Sequence, residues 1–502
     1  MIEPDGRALD ALGTADKHTL AVLASIAGEQ LPVAAPVGEL LTLPPFAAAV
    51  AALSPSLGGL GIKPLRRLAE TGVLLMASLT RSLPRLLERL ERPGAGGAAR
   101  AVAAEIRRVD TSQLEWAVAA RAAHAAVVAA VGTALPAADR ALLKQLMPSV
   151  ELPGAAVVVP PLLTMVTVVQ PGFQRQASHG LWQRDFRTLY ARVSQYQSFL
   201  LRSGCAQGAS AHLSPIELNP FAPSHTAAQD RMQPHIWRMA LRYSLGMEPI
   251  PGTAAALVAA GGLCPSGCGQ NLSGYDHEWV TNHLVSCAVG GHTQRVASAI
   301  TGAVSRNMWD VGVPSKKELR GLSATSAHRP GDVVSALMPV PECFDAGGGH
   351  RWVVDTTVSY LSPSNVAAAL HGAPDAEVAR AEKDKDKQVL VEVAQGKRTA
   401  LPAGFTFSPA GINPRGRMGP RLLKLMSWLA EHGATNGVNP LGGEEAEVTK
   451  ARLMQRFLSR LSVALHRQLM EAYLARVQLF RGMWGEVAGI QAADAMDLRF
   501  QG

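Results

Sequence analysis

Three of the chain's five cysteines share a short window with a histidine, in the spacing C-x3-C-x14-H-x3-C: Cys264, Cys268, His283 and Cys287. This pattern constrains the fold more than any other, because two short-spaced pairs allow two local turns to close on one ion. Thiolate and imidazole donors in that arrangement suit tetrahedral zinc. Gly267 and Gly269 supply backbone freedom around the first pair. A helix is expected over 276–289, which places His283 and Cys287 on one face at i, i+4. His277 and His292 are alternative fourth ligands, so the spacing leaves the choice of histidine open. Buried cysteines also occur as plain packing residues, but two pairs in a chain otherwise poor in cysteine favour metal. Four protein ligands leave no position for water, so the ion's expected role is structural.

The remaining cysteines, Cys205 and Cys343, stand apart. That is no disulfide framework, and the expected compartment is reducing, nuclear or cytoplasmic. The first residues are acidic and lack a basic stretch followed by an apolar core, so no signal peptide is read. The apolar runs 119–135 and 154–169 are interrupted by Arg121 and His124 and by a Pro-Pro pair. Neither reaches the ~20 clean residues of a membrane span, and no membrane partner is expected. A net charge of +8 is compatible with a polyanionic partner without specifying one.

The 502 residues, with 47% hydrophobic and only 5% aromatic side chains, predict several cores built mainly of Ala-rich helices. Residues 1–150 read as a helical region, with helices near 17–27 and 45–53 and basic amphipathic units over 63–92 and 98–147. Residues 151–260 form a connector followed by helices over 182–201 and 233–245. The finger occupies 261–300, a small α/β core 301–415, and a helical extension 416–502. In that extension Arg452, Arg456, Arg460 and Arg467 lie on one long amphipathic helix, whose default role is packing.

Downstream of the finger, Asp332 opens a short apolar run, and Asp355 sits within 352–360, which alternates as a strand does. Two neighbouring strands could hold both carboxylates at one hard cation such as Mg²⁺. A helix over 375–394 carries Lys383, Lys385 and Lys387, of which Lys383 and Lys387 share a face at i, i+4. The plainer alternative makes Asp332 a turn residue, Asp355 a strand end, and the lysines a solvated charge run interleaved with Asp384 and Asp386.

This order of parts resembles the C-terminal region of non-LTR retrotransposon polyproteins that carry a restriction-like PD-(D/E)xK endonuclease. The similar stretches are Gly58-Gly-Leu-Gly-Ile, Arg242-Tyr-Ser-Leu-Gly, His283-Leu-Val-Ser-Cys287-Ala-Val-Gly-Gly, Arg329-Pro-Gly-Asp332-Val and Val354-Asp355-Thr-Thr-Val. The resemblance spans 40–480, with its strong motifs in 264–390. It implies a thumb- or linker-like region, a zinc finger and a restriction-like nuclease core. Asp332 and Asp355 would then bind Mg²⁺, Glu318 would be an accessory acid, and Lys383 or Lys387 the catalytic lysine. DNA, or retroelement RNA, would be the partner. The chain departs from the pattern in having Gly331 between Pro330 and Asp332, and Gln388 where the later helix should read Lys-Tyr. No Tyr-x-Asp-Asp polymerase motif is present. The implied activity is therefore metal-dependent strand nicking without DNA synthesis, and the alternative is a catalytically inactive nucleic-acid-binding remnant.

Overall fold

The computed structural model describes residues 6–27, 42–53, 85–94, 96–108, 188–204, 232–317, 332–335, 351–359, 376–395, 405–436 and 445–484, with isolated positions between them. The chain divides into two compact units, 1–192 and 193–502. The described part of the first unit is helical: α1 (Gly6–Ala27), α2 (Pro45–Ala52) and α3 (Gly97–Arg108). Pro45 begins α2, where its missing N–H costs nothing. The Asp16 carboxylate on α1 accepts the backbone N–H groups of Leu65 and Arg66 at 2.8 and 3.0 Å.

The described part of the second unit is mixed and mostly helical, with one four-stranded sheet. Its helices are α4 (Gln195–Gly204), α5 (Pro234–Ser244), α6 (Thr253–Ala259), α7 (His277–Ser286), α8 (His292–Asp310), α9 (Ala376–Ala394), α10 (Pro420–Thr435) and α11 (Ala446–Trp484). Its strands are β1 (Ser315–Lys317), β2 (Val333–Ser335), β3 (Arg351–Val358) and β4 (Phe405–Ile412), in the order β1-β2-β3-β4. The first three run antiparallel, while β4 lies parallel to β3 after the α9 crossover.

Side chains alternate across β3 and build two layers on the sheet. Trp352 meets Trp428 of α10 edge-on at 4.6 Å, and Thr356 bonds Thr301 of α8 at 3.0 Å. On the opposite face, Asp355 meets α9 through Lys385. The two faces of the sheet are thus covered by α8 with α10 and by α9, the layering a largely buried sheet needs.

The helix α11 runs for 39 residues, about 58 Å at 1.5 Å per residue. Its apolar stripe, which includes Leu453, Phe457, Leu461, Leu469 and Tyr473, belongs to the same buried core as the sheet and the finger cysteines Cys264 and Cys287. Two of its arginines pair inward: Arg460 donates to Asn307 Oδ1 at 2.7 Å and Asp310 Oδ2 at 2.9 Å, and Arg456 reaches Asp310 at 3.2 Å. Packing, the default role for this basic stripe, holds for both.

Gly433 marks the junction of α10 with the end of α8 and with α11. A Cβ there would lie 2.6 Å from Val311 Cγ1 and 2.8 Å from Leu453 Cδ1. Gly433→Ala gains about 1 kcal/mol of helix propensity, but overpacking of this kind costs about 1–3 kcal/mol. A lower urea midpoint at unchanged slope is the expected result, and a raised midpoint would show that the junction can relax.

Several expected elements shift in detail. The helix expected over 182–201 is interrupted at residues 191–194. Ser194 Oγ accepts the Gln197 N–H at 3.1 Å while Gln197 Oε1 accepts the Ser194 N–H at 3.4 Å, a reciprocal cap that starts α4 afresh. The helical readings over most of 63–92 and 109–147 lie outside the described residues. Strand β4 had no counterpart in the sequence reading, because Pro409 and Gly411 argue against a strand. It is tolerated as the sheet's edge, where a missing N–H can face away from the ladder.

Candidate metal centre and the cleft beside Lys385

The finger is built from two turns. In the first, Leu263 bridges Asn271, the Cys264 N–H donates to Gln270 O at 3.0 Å, and the Gly267 N–H returns to Cys264 O at 3.1 Å. Gly267 and Gly269 adopt φ of 72° and 77°, left-handed values that other residues rarely take, which lets the chain fold back between Cys264 and Cys268. In the second turn, Asp276 caps α7 by accepting the Trp279 N–H at 2.9 Å. His283 stands in the last turn of that helix, and Cys287 closes it with its N–H on His283 O at 2.8 Å.

These turns bring one donor atom each from Cys264, Cys268, His283 and Cys287 within 4.8 Å of one another. Metal–ligand bonds of 2.3 Å to sulfur and about 2.05 Å to nitrogen place tetrahedral ligands about 3.8 Å apart for two sulfurs and about 3.6 Å for sulfur and nitrogen. The Cys264–Cys287 sulfurs are 3.9 Å apart, and Cys268 Sγ is 3.4 Å from His283 Nε2. The four side chains therefore form a group that could hold a metal ion, compatible with zinc. The close Cys264 thiol, donating to Cys287, holds the Cys287 thiol far below its usual range and is itself pushed up. Of the alternative ligands, His277 is exposed in the first turn of α7 and does not belong to the group, while His292 begins α8 and its side chain lies outside the described residues.

The acids follow the sheet. Register pairs Val333 with Val354 and Val334 with Val353, so Asp332, just before β2, lies next to the middle of β3, where Asp355 follows Val354. Their carboxylates hold different partners. Asp332 Oδ2 accepts the Thr356 N–H at 2.8 Å and the Thr301 hydroxyl at 3.4 Å. Asp355 is buried and faces α9, where Lys385 Nζ lies 3.4 Å from its Oδ2. Lys383 and Lys387 are exposed on α9, so the lysine that meets the acid is the one between them. Glu318 lies outside the described residues.

The signal for Lys385 was present in the helix phase. Val378, Glu382 and Val389 are buried on α9, and Lys385 continues that i, i+4, i+7 stripe. Lys383 and Lys387 share a face with each other but not with the stripe.

Beside Lys385 opens a cleft of about 430 Å³ lined by Thr357, Ser359, Glu377, Arg380, Asp384 and Gln388. Burial pushes the Glu377 carboxyl up to about 7, opposed by the Ser359 hydroxyl donating at 2.6 Å. Glu382 is likewise raised to about 7 by burial, although its carboxylate accepts the Gly411 N–H at 2.9 Å and the Arg421 N–H at 3.4 Å. The latter donor lies in the first turn of α10, where a carboxylate complements the helix dipole.

No protein-family model matches the chain, and no curated protein matches it either. Among the described residues, no helix is long and apolar enough to cross a membrane.

Proposed function

We propose that the second unit is a metal-dependent DNA endonuclease of the restriction-like PD-(D/E)xK type, derived from a retroelement and carrying a structural zinc finger. The observation that carries this reading is the placement of Lys385 on Asp355, in the middle of β3 beside the start of β2 where Asp332 lies. The element order α8-β1-β2-β3-α9-β4, with a parallel last strand, supports the same assignment. Three thiolates and an imidazole favour zinc over hard cations, whereas two carboxylates favour Mg²⁺.

Asp332 and Asp355 would hold the divalent cation once the Asp332 carboxylate turns from Thr301 in the α8 layer toward Asp355, which faces α9, each exchanging present partners for metal bonds. When bound, such an ion activates water and shields phosphate charge. Lys385 keeps its ammonium beside Asp355, where it can balance charge developing on a phosphate oxygen. Arg380 and Gln388, on the wall of the neighbouring cleft, offer donors for a strand lying along α9.

The direct test is nicking of supercoiled plasmid by the full chain with Mg²⁺ or Mn²⁺ against EDTA. Metal-dependent nicking is expected. Salt-sensitive DNA binding without nicking would instead mark a binding remnant. The lysine assignment has its own test. Lys385→Met should lower the nicking rate by about 10²-fold, a loss typical of one electrostatic group. Lys383→Met and Lys387→Met should stay within about threefold of the parent, since charges exposed to water contribute little. Comparable losses in all three would turn the lysines into general phosphate contacts.

A further inference from the structure

We infer that Arg476 is the outer-shell cation of the Cys/His metal site, holding both ligand-bearing turns from the far end of α11. The inference rests on those four side chains binding a metal. Arg476 is fully buried, yet its guanidinium is spread over the finger. Its Nε donates to Ser266 Oγ at 2.9 Å, between Cys264 and Cys268. One terminal nitrogen donates to Leu284 O at 2.5 Å and Val285 O at 3.3 Å, and the other to Cys287 O at 2.5 Å. The first turn is thus tied through a hydroxyl, and the second through the carbonyls that α7 leaves unpaired at its C-terminus.

Two physical consequences point to the metal rather than to packing alone. A divalent ion with three thiolates and a neutral imidazole carries a net charge of −1, and a buried charge is costly unless it is compensated. Arg476 supplies +1 next to the ligands, at the negative end of the α7 dipole. Its planar fork also fixes the distance between the turns, and partners of this kind orient metal ligands and commonly change affinity by about 10–100-fold. Lysine has the charge but cannot hold this many acceptors in fixed directions.

The test is zinc affinity of the full chain, measured by competition with a chromophoric chelator, for Arg476→Lys, Arg476→Met and Ser266→Ala. Arg460→Met serves as the comparison, because that arginine is also buried on α11 but pairs with Asn307 and Asp310 instead of the finger. We expect Arg476→Met to bind zinc about 10–100-fold more weakly, Arg476→Lys to fall between it and the parent, Ser266→Ala to lose a few-fold, and Arg460→Met to bind as the parent does. If Arg476→Met does not fold, the order Arg476→Lys weaker than Ser266→Ala weaker than parent decides the question. Parent-like affinity in Arg476→Lys and Ser266→Ala, or an equal loss in Arg460→Met, would overturn the inference. A parent chain that binds no zinc at all would instead remove the metal reading beneath it.

Discussion

Asp355→Asn is expected to lower metal-dependent nicking by about 10³-fold or more, the kinetic equivalent of about 4 kcal/mol. Asparagine keeps the shape of the side chain and one acceptor oxygen, so the change removes charge with little change in packing. The lost charge matters because Asp355 is buried and faces Lys385, in a setting where an oxygen–metal or oxygen–ammonium interaction is weakly screened. DNA binding, measured by fluorescence anisotropy at fixed salt, should change by less than about threefold, because phosphate contacts supply most non-specific affinity. Nicking at the parent's rate by Asp355→Asn would sink the assignment of this carboxylate. Parallel loss of binding and nicking would mean that the residue supports the fold and not the chemistry.

Removing the metal should be the most damaging single change to the fold. Treatment with a strong chelator, or Cys287→Ser, is expected to cost on the order of 5 kcal/mol and lower the melting temperature by about 10 °C or more. The reason lies in where the ligands sit. Cys264 and Cys287 belong to the same buried core as Val333, Trp352 and Val354 of the sheet, so the finger is not a separable appendage. Without an ion, three thiols and an imidazole lose the bonds that close two glycine-bearing turns, and α11 loses the partner that its Arg476 is shaped to hold. Calorimetry with and without chelator, read beside zinc content, checks this. An unchanged melting curve on loss of bound zinc would show that the group is not a structural centre.

The candidate sites differ in how much of them could be read from residue order. The Cys/His group was legible to its three cysteines, with the histidine left open among His277, His283 and His292, because each pair is closed by one local turn and the turn residues, Gly267, Gly269 and Asp276, are written beside it. The apolar run after Asp332 and the alternation around Asp355 pointed to neighbouring strands, and those strands do pair. The lysine was not legible from the spacing of the lysines themselves. It needed the rotational phase of α9, which the buried Val378, Glu382 and Val389 carry and the i, i+4 lysine pair does not. Strand β4 was hidden by Pro409 and Gly411, which are tolerated there because β4 is an edge strand.

By itself, then, residue order determined the local features: the Cys/His spacing and the helical or strand character of most described segments. These depend on interactions within a few residues, where hydrogen-bonding and steric preferences act directly. Tertiary structure alone decided which side chains meet across long separations. Arg476 reaches Ser266 across 210 positions, Arg460 reaches Asn307 across 153, and Lys385 rather than its neighbours reaches Asp355. Such pairings depend on how α9 and α11 are rotated against a shared core. That rotation is set by the simultaneous burial of many apolar side chains, and no single stretch of the chain records it.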